Sequence, residues 1–247
     1  MAIAQNSRRR DPPDPPINRE RVDLSRERIL HAALALIDAK GLTKLNMRDL
    51  GRALGASTMG VYRHFRNKSD LIDAVVDHVV EGFAPPSTQG GWQDRLTAIS
   101  LNVRSAMLMH PELADLIGRE LRRSPTSLRI NAEIIQRLQV AGVPTDLLAD
   151  TYWALSSYTT GYALLEAQTY RHRRNERKPS SPGERVRKLA AMLEAVEDIP
   201  KTGSQEAAAV LARPLDDAQF RFGLECLIRG LADKFEAAAR ALGHTDA

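Results

Sequence analysis

Between Asn46 and Asp70 the chain gathers side chains suited to reading and holding a polyanion. The octet Ser57-Thr-Met-Gly-Val-Tyr-Arg-His64 puts small polar groups first and Tyr62, Arg63 and His64 last. Val61 and Phe65 are spaced to hold one helical face on a core. In a helix-turn-helix the second short helix enters the major groove by its N-terminal residues, where small polar side chains approach base edges. Gly60 removes a side chain where a helix pressed into a groove needs backbone proximity. It costs about 1 kcal/mol of helix propensity relative to Ala. Bond-making chemistry finds no support. The chain has no His-Glu-x-x-His, Gly-x-Ser-x-Gly, phosphate-loop or Cys-x-x-Cys pattern. An enzyme is therefore not expected, nor a cofactor. A single cysteine, Cys226, excludes an internal disulfide and a cysteine-cluster zinc site, and no metal is expected.

The elements that must position these residues read as helices throughout. Ile29, Ala33, Leu36 and Ile37 mark one face of a helix over 24–40, stopped by Gly41. Asn46 and Asp49 have the spacing of a capping box ahead of a short helix that stops at Gly55. Ser57 caps the octet helix, and Asn67 with Asp70 opens a helix to about Gly82. Residues 84–91, Pro- and Gly-rich, form a linker. Beyond it, helices are expected over 92–109, 112–119, 125–141, 145–170 and 216–242, with 184–197 a weaker candidate. Residues 171–188 hold eight Lys and Arg, two prolines and a glycine, and read as a mobile basic loop. The fold class is all-α. A basic arm over 1–23 precedes a three-helix DNA-binding domain over 24–84, and a larger regulatory domain spans 91–242.

Charge is distributed in keeping with this division. Residues 1–70 carry 14 Lys and Arg against 8 Asp and Glu, whereas 71–170 carry 7 against 11. A basic first third beside an acidic middle suits a DNA-facing end and a body held off the phosphates. Residues 1–23 combine Arg8, Arg9 and Arg10 with four prolines and no apolar period, and are expected to be disordered. No secretory leader and no membrane-length apolar run is evident, so no membrane partner and a cytoplasmic location are expected.

Residues 25–83 resemble the DNA-binding domain of the TetR family. The resemblance is strongest over 47–71, through Leu50, Ala53, Leu54, Gly55, Tyr62, His64, Phe65, Lys68 and Leu71. Trp92-Gln-Asp-Arg-Leu96, Met107-Leu-Met-His-Pro111, Gly161-Tyr-Ala-Leu-Leu165 and Phe222-Gly-Leu-Glu-Cys-Leu-Ile-Arg-Gly230 are similar to the regulatory domain of the tetracycline-repressor branch. The resemblance spans roughly 25–170 and 215–240. It implies that Arg48 reaches a base edge and that Ser57, Thr58 and Met59 read sequence. Tyr62 and His64 then touch backbone or base methyls, Arg63 adds affinity, and Lys68 binds a phosphate at a helix start.

The resemblance also implies a homodimer on double-stranded operator DNA, its copies joined through the long helix and the final helix. Leu155, Tyr158, Leu224, Leu227, Ile228 and Leu231 are the candidate interface, with Cys226 in or near it. A two-fold dimer predicts a palindromic operator. A small-molecule effector pocket is implied among the middle helices. Its candidate lining is Ile99, Asn102, Val103, Met107, Ile134, Leu138, Trp153, Ser157, Gly161 and Tyr162, with His110 at the following junction. Ile99, Val103 and Ile117 stand where the resemblance puts groups that grip tetracycline and its magnesium, so a largely apolar effector is expected. The chain is thus expected to be a repressor released by such an effector. A constitutive DNA-binding protein without effector is the alternative, and repression versus activation is left open.

Overall fold

The computed structural model describes residues 24–82, 90–120, 124–176, 180–196 and 203–243. The expected N-terminal arm and most of the 84–91 linker lie outside them. The described residues form helices with no strand. The first four are α1 (Arg26–Lys40), α2 (Met47–Ala53), α3 (Thr58–Tyr62) and α4 (Lys68–Glu81). The body contains α5 (Trp92–Met109), α6 (Ala114–Glu120), α7 (Pro125–Val140), α8 (Leu148–Asn175), α9 (Pro182–Glu194), α10 (Ser204–Leu211) and α11 (Asp217–Gly243). Single 3-10 turns precede α2, α6 and α8.

Side-chain caps start the helices around the expected DNA-binding surface. Ser25, Asn46, Ser57 and Asn67 each accept from a backbone N–H three residues on, satisfying one of the donors a helix start leaves without an internal partner. The Asp49 carboxylate accepts from the Asn46 side chain at 2.8 Å. That bond, chief among several causes, holds it below the usual carboxylate range.

One apolar core runs from Ile29, Ile37, Leu50, Val61 and Phe65 through Leu71, Val75, Val76 and Val80 of α4. It continues into Met107, Leu113, Ile117 and Ile130 of the body. A second cluster at the far end packs Leu96, Leu138, Leu155, Phe220, Leu224 and Ile228 together.

Two expectations are corrected. The stretch 171–188 is not a loop throughout. Residues 171–175 extend α8, and Ser181, Pro182 and Glu184 make a capping box that opens α9. Helix α10, whose Ala-rich run lacks an apolar period, was not expected.

The body is tied by a buried charge. Arg104 of α5 is 8% exposed and donates from Nε and Nη2 to both carboxylate oxygens of Glu166 on α8, each at 2.8 Å. Its Nη1 reaches Asp217 at the start of α11 at 2.9 Å. Burial alone would lower the guanidinium pKa, and the two carboxylates more than offset it, so the net direction is upward. Its guanidinium also lies 4.9 Å from the centre of the Phe220 ring. Removing one member of such a group strands a charge away from water. Arg104→Ala is expected to destabilise the chain by about 3 kcal/mol, read by urea denaturation. Arg229→Ala, which breaks an exposed pair with Glu225, should change stability by less than about 1 kcal/mol.

Candidate nucleic-acid interface and effector cleft

Helix α3 has only five residues and begins at a tight turn. Gly55 sits at φ +65°, in the left-handed region that favours glycine. The Gly55 and Ala56 amides donate to the carbonyls of Arg52 and Gly51, bending the chain from α2 into α3. A Cβ on Gly51 would lie 3.1 Å from the Ala56 carbonyl oxygen and 3.3 Å from the Thr58 nitrogen. The two helices cross against bare backbone. Val61 and Phe65 are buried beneath them, at 0% and 1% exposure.

The leading end of α3 faces outward. Met59 is 70% exposed and Tyr62 43%. Ser57 and Arg63 are exposed, and Thr58, His64 and Lys68 are half-buried. Arg48, on the second residue of α2, is also exposed. All eight sequence-derived candidates therefore fall on one short region of chain at the α2–α3–α4 junction. Gly60 also has a part within the fold. A Cβ there would meet Leu24 at 3.3 Å and the Ser57 hydroxyl at 3.6 Å, so this glycine permits close approach of the segment leading into α1. Sequence reading missed Arg26. Its Nη1 donates to the His64 carbonyl at 3.3 Å, and its guanidinium sits 4.4 Å from the centre of the Phe65 ring. A lone arginine on the polar side of α1 gave no signal of that partner.

In the body, α5, α7 and α8 line a narrow cleft that is partly open to solvent. Ile99, Val103, Ile134 and Leu138 line it as expected from sequence. They are joined by Ser100, Ile130, Asn131, Tyr152, Leu155, Ser156, Thr159 and Thr160, which sequence reading did not assign to it. No lining side chain is charged. The remaining expected lining residues lie elsewhere. Met107 is fully buried in the continuous core, and Asn102 is not among the lining residues. Trp153 is 45% exposed, Ser157 is exposed, and a Cβ on Gly161 would meet open space. The Tyr162 hydroxyl donates to the Asp216 carbonyl at 3.0 Å. His110 Nδ1 lies 2.9 Å from the Asp38 carboxylate of α1.

The expected interface residues also turn inward. Leu155, Leu224 and Ile228 are buried within the chain, and Tyr158, Leu227 and Leu231 pack against them. The Tyr158 hydroxyl donates to the Phe220 carbonyl at 2.8 Å, and burial raises its pKa. Among the described residues, the large apolar side chains left outward on α8 and α11 are Trp153, Leu165, Tyr170 and Phe222. Cys226 is exposed on α11.

One polar atom in the cleft stands out. Thr159 is 3% exposed, and its Oγ1 has no hydrogen-bond partner among the described residues. A buried hydroxyl without a partner costs about 1–3 kcal/mol.

The family described as "Bacterial regulatory proteins, tetR family" matches residues 29–75, and "Tetracyclin repressor-like, C-terminal domain" matches residues 84–235. A transcriptional repressor of Mycobacterium tuberculosis is 28% identical over 237 residues, covering 91% of this chain and 87% of its own. The class D tetracycline repressor of Escherichia coli is 26% identical over 225 residues, 89% of this chain and 94% of its own. Among solved structures, a possible TetR family regulator from Streptomyces coelicolor A3(2) is 28% identical with a TM-score of 0.65. That match covers 85% of this chain and 99% of the other. ActR of Streptomyces coelicolor, solved in complex with actinorhodin, shares the fold at a TM-score of 0.67 and 24% identity, over 87% of this chain and 99% of its own.

Thr159→Val keeps the side-chain shape and removes the orphan hydroxyl. The variant is expected to gain about 1 kcal/mol, a rise of about 2–4 °C in melting temperature. Circular dichroism melts of the free protein check this.

Proposed function

The chain belongs to the TetR family of transcriptional regulators, and from that premise we propose that it is a repressor that leaves its operator when a neutral, largely apolar molecule fills the α5–α7–α8 cleft. The observation that carries the DNA-binding half is the two-sided character of α3. Val61 and Phe65 are buried beneath it, while its leading end leaves Ser57 and Met59 exposed and Thr58 half-buried, with the cations Arg48 and Lys68 on the flanking helices. In this reading Arg48 reads a base edge and Lys68 holds a phosphate at the start of α4. Tyr62, Arg63 and His64 hold the backbone beside it. Two copies address a palindrome. They meet through the outward faces of α8 and α11, with Leu165 and Phe222 among the contacts, rather than through the inward residues first expected from sequence.

The cleft supports the effector half. A site with no charged lining penalises an ionised ligand, because no opposite charge offsets its lost hydration. Thr159 supplies one unsatisfied hydroxyl for one polar group on an otherwise apolar body. That combination of apolar walls and few placed polar groups is typical of small-molecule sites. Ligand can shift DNA affinity only by its differential affinity for the two states.

Selection of bound duplexes from a random pool tests the DNA reading and is expected to return a palindrome. On the selected operator, Arg48→Ala should relax base preference at one position of each half-site, a loss of about 1–3 kcal/mol of discrimination. Lys68→Ala should weaken all sequences alike and flatten the salt slope by about one unit. Filter binding across a salt series separates the two. Identical behaviour of both variants would contradict the division of roles.

A further inference from the structure

Away from the cleft and the α2–α3 surface, a dense polar cluster joins the C-terminal end of α8 to the C-terminal end of α1. Arg174 donates from Nη1 to the Asp38 carbonyl and from Nη2 to the Ala39 carbonyl, both at 2.7 Å. These belong to the last four carbonyls of a helix, which no later helical N–H reaches. The Gly41 amide already takes that of Ile37. A cation at this end also meets the negative pole of the helix dipole. The Asp38 carboxylate is held by His110, and Glu112 lies 3.9 Å from Arg174. Nearly one turn earlier on α8, Arg171 bonds Asp115 of α6. The helix that walls the cleft at Thr159 therefore ends by gripping the first helix of the DNA-binding unit. Fifteen residues of unbroken helix separate Thr159 from Arg174, about 22 Å.

We propose that Arg174 is a positioning residue that sets the orientation of the DNA-binding unit on the body, and so selects the spacing between operator half-sites. The proposal rests on the dimeric DNA-binding reading above. Its physical basis is the fork. Two N–H groups of one planar fork on consecutive carbonyls fix two points of α1 in a set direction, whereas a lysine ammonium is a point charge whose rotatable donors on a flexible stem impose no such orientation. Helix α1 in turn carries α3, since its Arg26 bonds the His64 carbonyl and Leu24, just ahead of its cap, packs beside Gly60. A tilt of α1 thus moves the recognition helix with it, and two-fold symmetry doubles the change in separation. DNA measures that separation finely. One added base pair moves the half-sites about 3.4 Å apart and rotates them by about 35°.

The test uses the full chain and its selected operator, with the centre lengthened or shortened by one and two base pairs. Arg174→Met and Arg174→Lys are compared with wild type and with Arg129→Met, which breaks only an exposed pair with Glu133 on α7. Wild type and Arg129→Met are expected to lose about tenfold in affinity per base pair of altered spacing, comparable to one mismatch. Both Arg174 variants are expected to lose less than about threefold, within what a single weak contact is worth. Melting curves establish which variants fold, and the lysine variant retains the charge should the methionine variant fail. A wild-type spacing profile in either folded Arg174 variant overturns the proposal. A uniform loss on every spacing overturns it equally, because that marks a role in stability alone. Wild-type binding that ignores spacing would instead refute the dimeric reading, and this inference with it.

Discussion

A helix of five residues cannot hold itself together in water, since nucleation alone outweighs what so few hydrogen bonds return. Everything that makes α3 a reading head must therefore come from outside it. Ser57 closes its first turn, Val61 and Phe65 root it, and bare backbone at Gly51 lets α2 press against it. Arg26 holds its far end by the His64 carbonyl. Apart from the Ser57 cap, these supports lie behind the helix, so exposed positions such as Met59 can change without unfolding the domain. The same dependence makes α3 a faithful follower of α1 and α4.

The body solves a different problem, which is to keep an apolar cleft open while three long helices stay in register. Arg104 does this by meeting carboxylates from α8 and α11 at once. A buried ion group of this sort contributes little net stability compared with hydrophobic packing. It does, however, penalise any sliding of α5 against its neighbours, since slippage would strand one of three charges. In the cleft wall, Thr159 keeps a hydroxyl oxygen without a partner among the described residues.

What could be read from sequence followed the range of the signal. Caps are local, and Asn46, Ser57 and Asn67 were each legible three residues ahead of the N–H they satisfy. The α2–α3 candidates were legible because a short amphipathic helix has one inner face. Helix α8 was not so readable. It carries apolar or small residues around most of its circumference, so sequence could not say which stripe faces the cleft, which faces α11 and which is outward. Trp153, Ser157 and Gly161 were therefore assigned to the cleft in place of Tyr152, Ser156 and Thr159, a rotation about one axis. The basic run after Tyr170 was misread for a related reason. Its arginines are charged along the chain, but Arg171 and Arg174 find acceptors on α6 and α1 that no local pattern announces.

The unbroken core beneath α4 bears on how such a chain can be recombined. Val75, Val76, Val79 and Val80 belong as much to the body as to the DNA-binding unit, for the same cluster contains Leu50, Ile117 and Ile130. Cutting after α4 and grafting a foreign regulatory half would bare an aliphatic ridge shaped for α6 and α7. A workable chimera must carry the outer row of α4 from whichever parent supplies the body, so the natural seam between exchangeable parts runs lengthwise along a helix and not between two of them.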